Sequence, residues 1–69
     1  MNGDQFIRAA RKWARKNDRL FTEEDRSRGK GGHVIVRSGD KWTTVKSGEI
    51  KPPLHRAMLQ QLGWPIDAF

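Results

Sequence analysis

The chain has 69 residues and no cysteine, which excludes disulfide bonds and thiolate metal sites. Its 14 lysines and arginines exceed its 8 acidic residues, and the net charge of +6 favours a polyanionic partner, most often nucleic acid. A solubilising basic surface is the alternative. No apolar run approaches the roughly 20 residues of a membrane span and no signal-peptide pattern is present, so we expect a cytoplasmic protein without membrane contact.

A helix is predicted over residues 2–17. Asn2 is suited to cap it, and Gln5 lies where a capping box requires it. The apolar positions at helical spacing are Phe6, Ala10, Trp13 and Ala14. The basic positions on the opposite side are Arg8, Arg11, Lys12, Arg15 and Lys16. This basic stripe is either a solvated helix face or a surface for phosphates or a partner.

Three strands are predicted next, within residues 19–28, over 33–37 and over 41–46. Leu20, Phe21 and Thr22 favour the first strand, whereas the acids that follow, Glu23, Glu24 and Asp25, do not. These acids either repel RNA or pair with nearby arginines. Because side chains alternate across a strand, the second strand has Val34 and Val36 on one face and His33, Ile35 and Arg37 on the other.

A second helix is predicted over residues 53–62, begun by Pro52-Pro53 and stopped by Gly63. Its expected core positions are Leu54, Ala57, Met58 and Leu62. The tail, residues 64–69, either folds back on the core or docks on a partner. The order α-β-β-β-α predicts one α+β domain over residues 1–69, a two-layer sandwich with both helices on one face of a three-stranded antiparallel sheet.

The segment from Arg28 to His33, Arg-Gly-Lys-Gly-Gly-His, combines glycines, which allow a tight turn and close approach of a ligand, with cations and one near-neutral acid/base. RNA cleavage needs such a combination, so we assign proton transfer to His33. The residues assigned to RNA binding are Arg28, Lys30, Gly31, Gly32, Arg37 and Lys46. A lone histidine in a strand is more often structural, and any one of these cations could be solubilising.

The remaining histidine and the tryptophans carry weaker signals. His55 has no chemical neighbours in the sequence, so we interpret it as a surface residue. No ligand carboxylate pattern accompanies the two histidines, so no metal or other cofactor is expected. Trp13, Trp42 and Trp64 could stack on bases, although Trp13 fits the helix core better.

Two segments in this order resemble the HicA-type mRNA interferase toxins of bacterial type II toxin–antitoxin pairs. They are Gly31-Gly32-His33 before a strand and the stretch Glu-Ile-Lys-Pro-Pro-Leu-His-Arg-Ala-Met-Leu-Gln-Gln-Leu-Gly, which ends at Gly63. The resemblance spans nearly the whole chain. It implies a fold like that of double-stranded-RNA-binding domains, cleavage of mRNA by one essential histidine at the position of His33, and neutralisation by a HicB-type antitoxin.

Two positions depart from the family pattern. Gly32 stands where Ser or Asn is usual near the histidine, and Lys46 stands where many members have Pro. The first departure removes a hydroxyl that could bind phosphate, so an altered or reduced activity is one expectation. The functional hypothesis is a metal-independent endoribonuclease toxin. Its alternatives are a non-catalytic RNA-binding module of the same fold and a protein-interaction module with an acidic partner.

Overall fold

The first helix begins at the predicted capping box. In the computed structural model, which describes residues 1–25, 33–46 and 48–69 without the side chains of Asp25 and His33, helix α1 spans Gly3–Lys16. The Asn2 side chain accepts a hydrogen bond from the Gln5 backbone N–H, and the Gln5 side chain accepts one from the Asn2 N–H, both at 2.8 Å. The box satisfies two donors that a helix start otherwise leaves unpaired.

The sheet follows the predicted order. Strand β1 spans Thr22–Asp25, β2 spans His33–Ser38 and β3 spans Lys41–Lys46. They pair antiparallel in the order β1-β2-β3. Helix α2 spans Pro52–Gln61 and is followed by Gly63, which has a positive φ of 73°. The order α-β-β-β-α and the α+β class are therefore confirmed.

Strand β1 differs from the prediction in its composition. Its residues include the three consecutive acids, whereas Leu20 lies before the strand and is 72% exposed. Strand propensity is overridden here by pairing of the backbone to β2. Glu23 also pairs with Arg11, and Glu24 lies 3.8 Å from Arg37. Of the two roles left open for the acids, pairing with arginines is realised by these two.

Both helices cover the same face of the sheet. Val36, Thr43 and Val45 are buried on that face. The helices and the segments beside them contribute Phe6, Ile7, Ala10, Ala14, Ile50, Met58, Leu59, Leu62 and Trp64 to the core. The opposite face of the sheet is left without a covering element among the described residues.

The apolar stripe of α2 is rotated by one position from the prediction. Leu54 was expected in the core but is 52% exposed, and Leu59 is fully buried. The stripe runs through His55, Met58, Leu59 and Leu62 at the i, i+3, i+4, i+7 spacing. Leu54 lies outside this stripe because each step of one residue turns the helix by about 100°. It lines a groove of about 230 Å³ at the edge of the sheet with Thr44 and Lys46 of β3.

The tail folds back on the core. Trp64 is only 3% exposed, stacks on Trp13 with ring centroids 4.5 Å apart, and donates its indole N–H to the Ser38 hydroxyl at 2.9 Å. The ring of Phe69 lies 5.1 Å from that of Phe6. Burial rules out Trp64 as a base-stacking residue, and Trp13 is half-buried beside it.

Candidate nucleic-acid interface

The predicted site residues fall into two groups. Arg28, Lys30, Gly31 and Gly32 lie outside the described residues. The other group lies on neighbouring strands: the backbone of His33 begins β2 directly opposite Lys46, and Arg37 is four residues further along β2, opposite Trp42. The register thus brings three of the predicted residues, His33, Arg37 and Lys46, to adjacent strands of one sheet.

The C-terminal end of β3 is held firmly where it faces His33. Gly3, the first residue of α1, packs so closely on the Lys46 backbone that a Cβ atom there would collide with the Lys46 carbonyl oxygen. The Gly3 N–H also donates to the Gly48 carbonyl at 3.1 Å. Val45 is buried beneath this contact. The exposed side chain of Lys46 is therefore carried on a fixed backbone.

We call the uncovered face of the sheet the open face. Along each strand, its residues alternate with those of the buried face. Its described members are Thr22, Glu24, Ile35, Arg37, Trp42, Thr44 and Lys46. All of these are exposed except Ile35, which is half-buried. The face combines two cations with a large aromatic ring, the composition expected of a surface for nucleic acid.

Arg37 on the open face has an acidic neighbour that does not occupy all of its hydrogen-bond donors. The Glu24 carboxylate lies 3.8 Å from its guanidinium, and both side chains are 46% exposed. An exposed ion pair of this kind contributes little and is screened by salt. Since a guanidinium carries five N–H donors, Arg37 can contact a phosphate while it stays near Glu24.

A groove runs between α1 and the sheet on the covered side. It has a volume of about 550 Å³ and opens next to Val34, the neighbour of His33 in the chain. The groove is lined by Asp4, Ile7, Arg8, Arg11, Glu23 and Val34. Arg11 donates to Glu23 across it. The two cations of the groove are balanced by two acids, so it is a less favourable place for a phosphate chain than the open face.

The rest of the basic stripe of α1 is exposed. Arg8, Lys12, Arg15 and Lys16 face solvent, as the sequence predicts. Among the described residues, none of these four forms an ion pair. They form a cationic surface that is separate from the open face of the sheet, since α1 covers the opposite side.

His55 is not the surface residue that the sequence indicated. Its ring lies 5.6 Å from that of Phe6 and 5.2 Å from that of Phe69, and its Nε2 atom is buried without a hydrogen-bond partner among the described residues. Burial lowers the pKa of His55, and the Met1 α-ammonium and Arg56 lower it further. The ring is an aromatic packing element between α2, α1 and the tail.

Two features of the site were not found from the sequence, and a third was left open. The sequence leaves open whether Trp42 stacks on bases, although the alternation in β3 places it on the face opposite that of the buried Thr43 and Val45 and so marks it as exposed. The close approach of Gly3 depends on tertiary packing and has no local signal. The same holds for the aromatic contacts of His55.

A membrane-spanning helix or a similar protein of known function would bear on the role of this site. Within residues 1–25, 33–46 and 48–69, no helix is long and apolar enough to cross a membrane. Comparisons of the chain with protein-family models, with curated proteins and with solved structures found no match.

Proposed function

We propose that this chain is a metal-independent endoribonuclease of the HicA type, a toxin that cleaves mRNA and is inhibited by a HicB-type antitoxin. One observation carries the proposal: a glycine-rich basic segment leads into a histidine that begins β2, and Lys46 lies directly opposite it on β3. A histidine with no cation beside it would lack the charge needed to stabilise a cleavage transition state.

The proposed chemistry requires three contributions from the chain. His33 takes the proton of the attacking 2′-hydroxyl, and its imidazolium form returns a proton to the 5′-oxygen as the phosphorus–oxygen bond breaks. Such proton transfer contributes typically 10²–10⁴-fold to a rate. The backbone N–H groups of Gly31 and Gly32, with Lys30 and Lys46, stabilise the charge that develops on the phosphate.

The antitoxin part of the proposal is supported by charge. The chain has a net charge of +6, and the basic stripe of α1 faces solvent. An acidic partner would be steered toward such a surface at low ionic strength. Covering α1 leaves the open face of the sheet uncovered, so inhibition would also require contact near His33.

The second candidate is a non-catalytic RNA-binding module. It is favoured by the open face, where Arg37, Trp42 and Lys46 offer two cations and an aromatic ring with no acid/base group required. Gly32, in the place of the polar residue usual in the family, also fits a chain that binds RNA without cutting it.

Cleavage of a long unstructured RNA in EDTA tests both candidates. Wild type is compared with His33→Ala, and His55→Phe is the matched control because it removes the chain's other imidazole and keeps a ring against Phe6 and Phe69. We expect cutting by wild type and His55→Phe and a loss of at least about 10²-fold in His33→Ala, with RNA binding retained. Cutting by His33→Ala at the wild-type rate would refute the site, and binding without cutting in all three would favour the RNA-binding module.

A further inference from the structure

We propose that the open face of the sheet binds single-stranded RNA, with one base stacked on the indole of Trp42 and the phosphates of the strand contacting Arg37 and Lys46. This inference rests on the proposed RNA-directed function. It adds the substrate class, a single strand rather than a duplex, and a residue that recognises it.

Trp42 differs from the other two tryptophans in its surroundings. It is 52% exposed, whereas Trp64 is buried and Trp13 is half-buried. Trp13 stacks on Trp64 and lies beneath the guanidinium of Arg19, at 5.6 Å from the ring centroid. Among the described residues, Trp42 has no ring or cation partner. Its aromatic face is thus free for a base.

The indole is carried on a rigid strand. β3 pairs with β2 at every position from Lys41 to Lys46. Thr43, the next residue after Trp42, is buried and donates its hydroxyl to the Gln61 side chain of α2. On the other side, the stem of Lys41 packs against Gly63. The backbone that carries the indole is therefore fixed, so only the two side-chain torsions of Trp42 lose freedom when a base stacks on it.

The cations are placed for a strand that crosses the open face. Arg37 is the register partner of Trp42, and Lys46 lies four residues further along β3, about 13 Å away at roughly 3.3 Å per residue. The same end of the sheet holds His33, the register partner of Lys46. A strand that stacks on Trp42 and follows the two cations therefore arrives at the position of the proposed proton-transfer group.

The preference for single strands follows from the geometry of stacking. In an A-form duplex the bases are stacked on one another and their faces are inaccessible, whereas unpaired bases can be splayed onto aromatic side chains. A paired strand would contact the two cations only.

A protein partner is the other occupant to consider for an exposed tryptophan. The central part of a protein interface is depleted of charged residues. Here Trp42 adjoins Arg37, and Ile35, the apolar member of the open face, is half-buried beside polar Thr44. The exposed Leu54 at the edge of this face lies in a groove with polar Thr44 and cationic Lys46. Together with the net charge of +6, this composition favours RNA.

The test measures binding of a 2′-O-methyl RNA strand, which cannot be cleaved, alone and annealed to its complement. We expect wild type to prefer the single strand, Trp42→Ala to lose about tenfold or more of that affinity, and Trp42→Phe to retain most of it. Duplex affinity should be equal in all three. Ile66→Ala is the matched control, because it truncates another exposed apolar side chain, 51% exposed, in the tail that packs on the covered side, and it should leave both affinities unchanged.

Intrinsic fluorescence gives a second readout. The single strand should quench part of the tryptophan emission of wild type, and this quenching should be absent in Trp42→Phe although the strand is still bound. Trp42→Ala that binds the single strand as tightly as wild type would overturn the inference while leaving the ribonuclease proposal intact. A wild type that neither binds nor cuts RNA would refute both proposals.

Discussion

Gly3 lies against the carbonyl oxygen of Lys46, so that the first residue of α1 and the last residue of β3 are in backbone contact. Lys46 is also the register partner of His33. The start of the first helix therefore fixes the strand end that faces the proposed catalytic residue. A glycine is needed here for its lack of a side chain, because a Cβ atom has no room.

Gly3→Ala should destabilise the protein by about 1–3 kcal/mol, the usual cost of forcing extra volume into a packed site. Helix propensity by itself favours alanine over glycine by about 1 kcal/mol in a helix interior, so the sign of the effect separates packing from propensity. Chemical denaturation measures it.

The control for this substitution is Gly39→Ala. Gly39 has a φ of 66°, and a Cβ atom added to it would have no neighbour within 4 Å, so alanine there meets backbone strain without a collision. We expect Gly3→Ala, and not Gly39→Ala, to lower RNA cleavage beyond its effect on stability. An unfolding free energy at or above that of wild type in Gly3→Ala would contradict the close contact.

Local patterns predicted the elements, and long-range packing decided the details that they missed. The capping box of Asn2 and Gln5 and the glycine stop at Gly63 are signals within one helical turn, and both were found in the sequence. The burial of Leu59 in place of Leu54 depends on which side of α2 meets the sheet. The position of His55 likewise depends on Phe6 and Phe69, which are distant in the chain.

Of the residues in the tail, Trp64 should contribute most to the stability of the fold. It is buried, stacks on Trp13 and donates to Ser38. Truncating such a side chain costs about 3–5 kcal/mol, and a domain of this size has a total stability of about the same magnitude. We expect Trp64→Ala to be largely unfolded at 25 °C by far-UV circular dichroism.

A milder substitution tests the hydrogen bond of Trp64 alone. Ser38→Ala leaves the indole N–H buried without its acceptor, which should cost about 1–3 kcal/mol. Ile66→Ala is the matched control in the same tail, because Ile66 is exposed, and it should change stability by less than about 0.5 kcal/mol. A folded Trp64→Ala with wild-type stability would show that the tail does not contribute to the core.

Protonation of His55 should destabilise the fold. Burial, followed by the Met1 α-ammonium and Arg56, lowers the pKa of His55 in the folded state below its ordinary value of 6.5. The unfolded chain therefore binds a proton at higher pH than the folded chain does. Stability is complete above about pH 6.5 and falls as the pH drops from there toward the lowered pKa of the folded state.

This dependence is tested by measuring the unfolding free energy from about pH 7.5, which is about one unit above the ordinary histidine pKa, down to about pH 5. His55→Phe, which cannot be protonated, should lose less stability than wild type over that range. His33→Ala is the matched control, since it removes the other histidine. If the pH dependence of the unfolding free energy persists in His55→Phe and vanishes in His33→Ala, it arises from His33 and the prediction for His55 is wrong.

The salt dependence of RNA binding should distinguish the cations of the open face from its aromatic ring. Each phosphate contact to a single strand contributes about 0.7 to the slope of log affinity against log salt. Arg37→Ala and Lys46→Ala should each lower the slope by roughly that amount. Trp42→Ala should weaken binding at every salt concentration with the slope unchanged, because stacking releases no counterions. Arg15→Ala, on the exposed stripe of α1, is the control. A salt slope that falls in Arg15→Ala but not in Arg37→Ala would show that RNA binds to α1 and not to the open face.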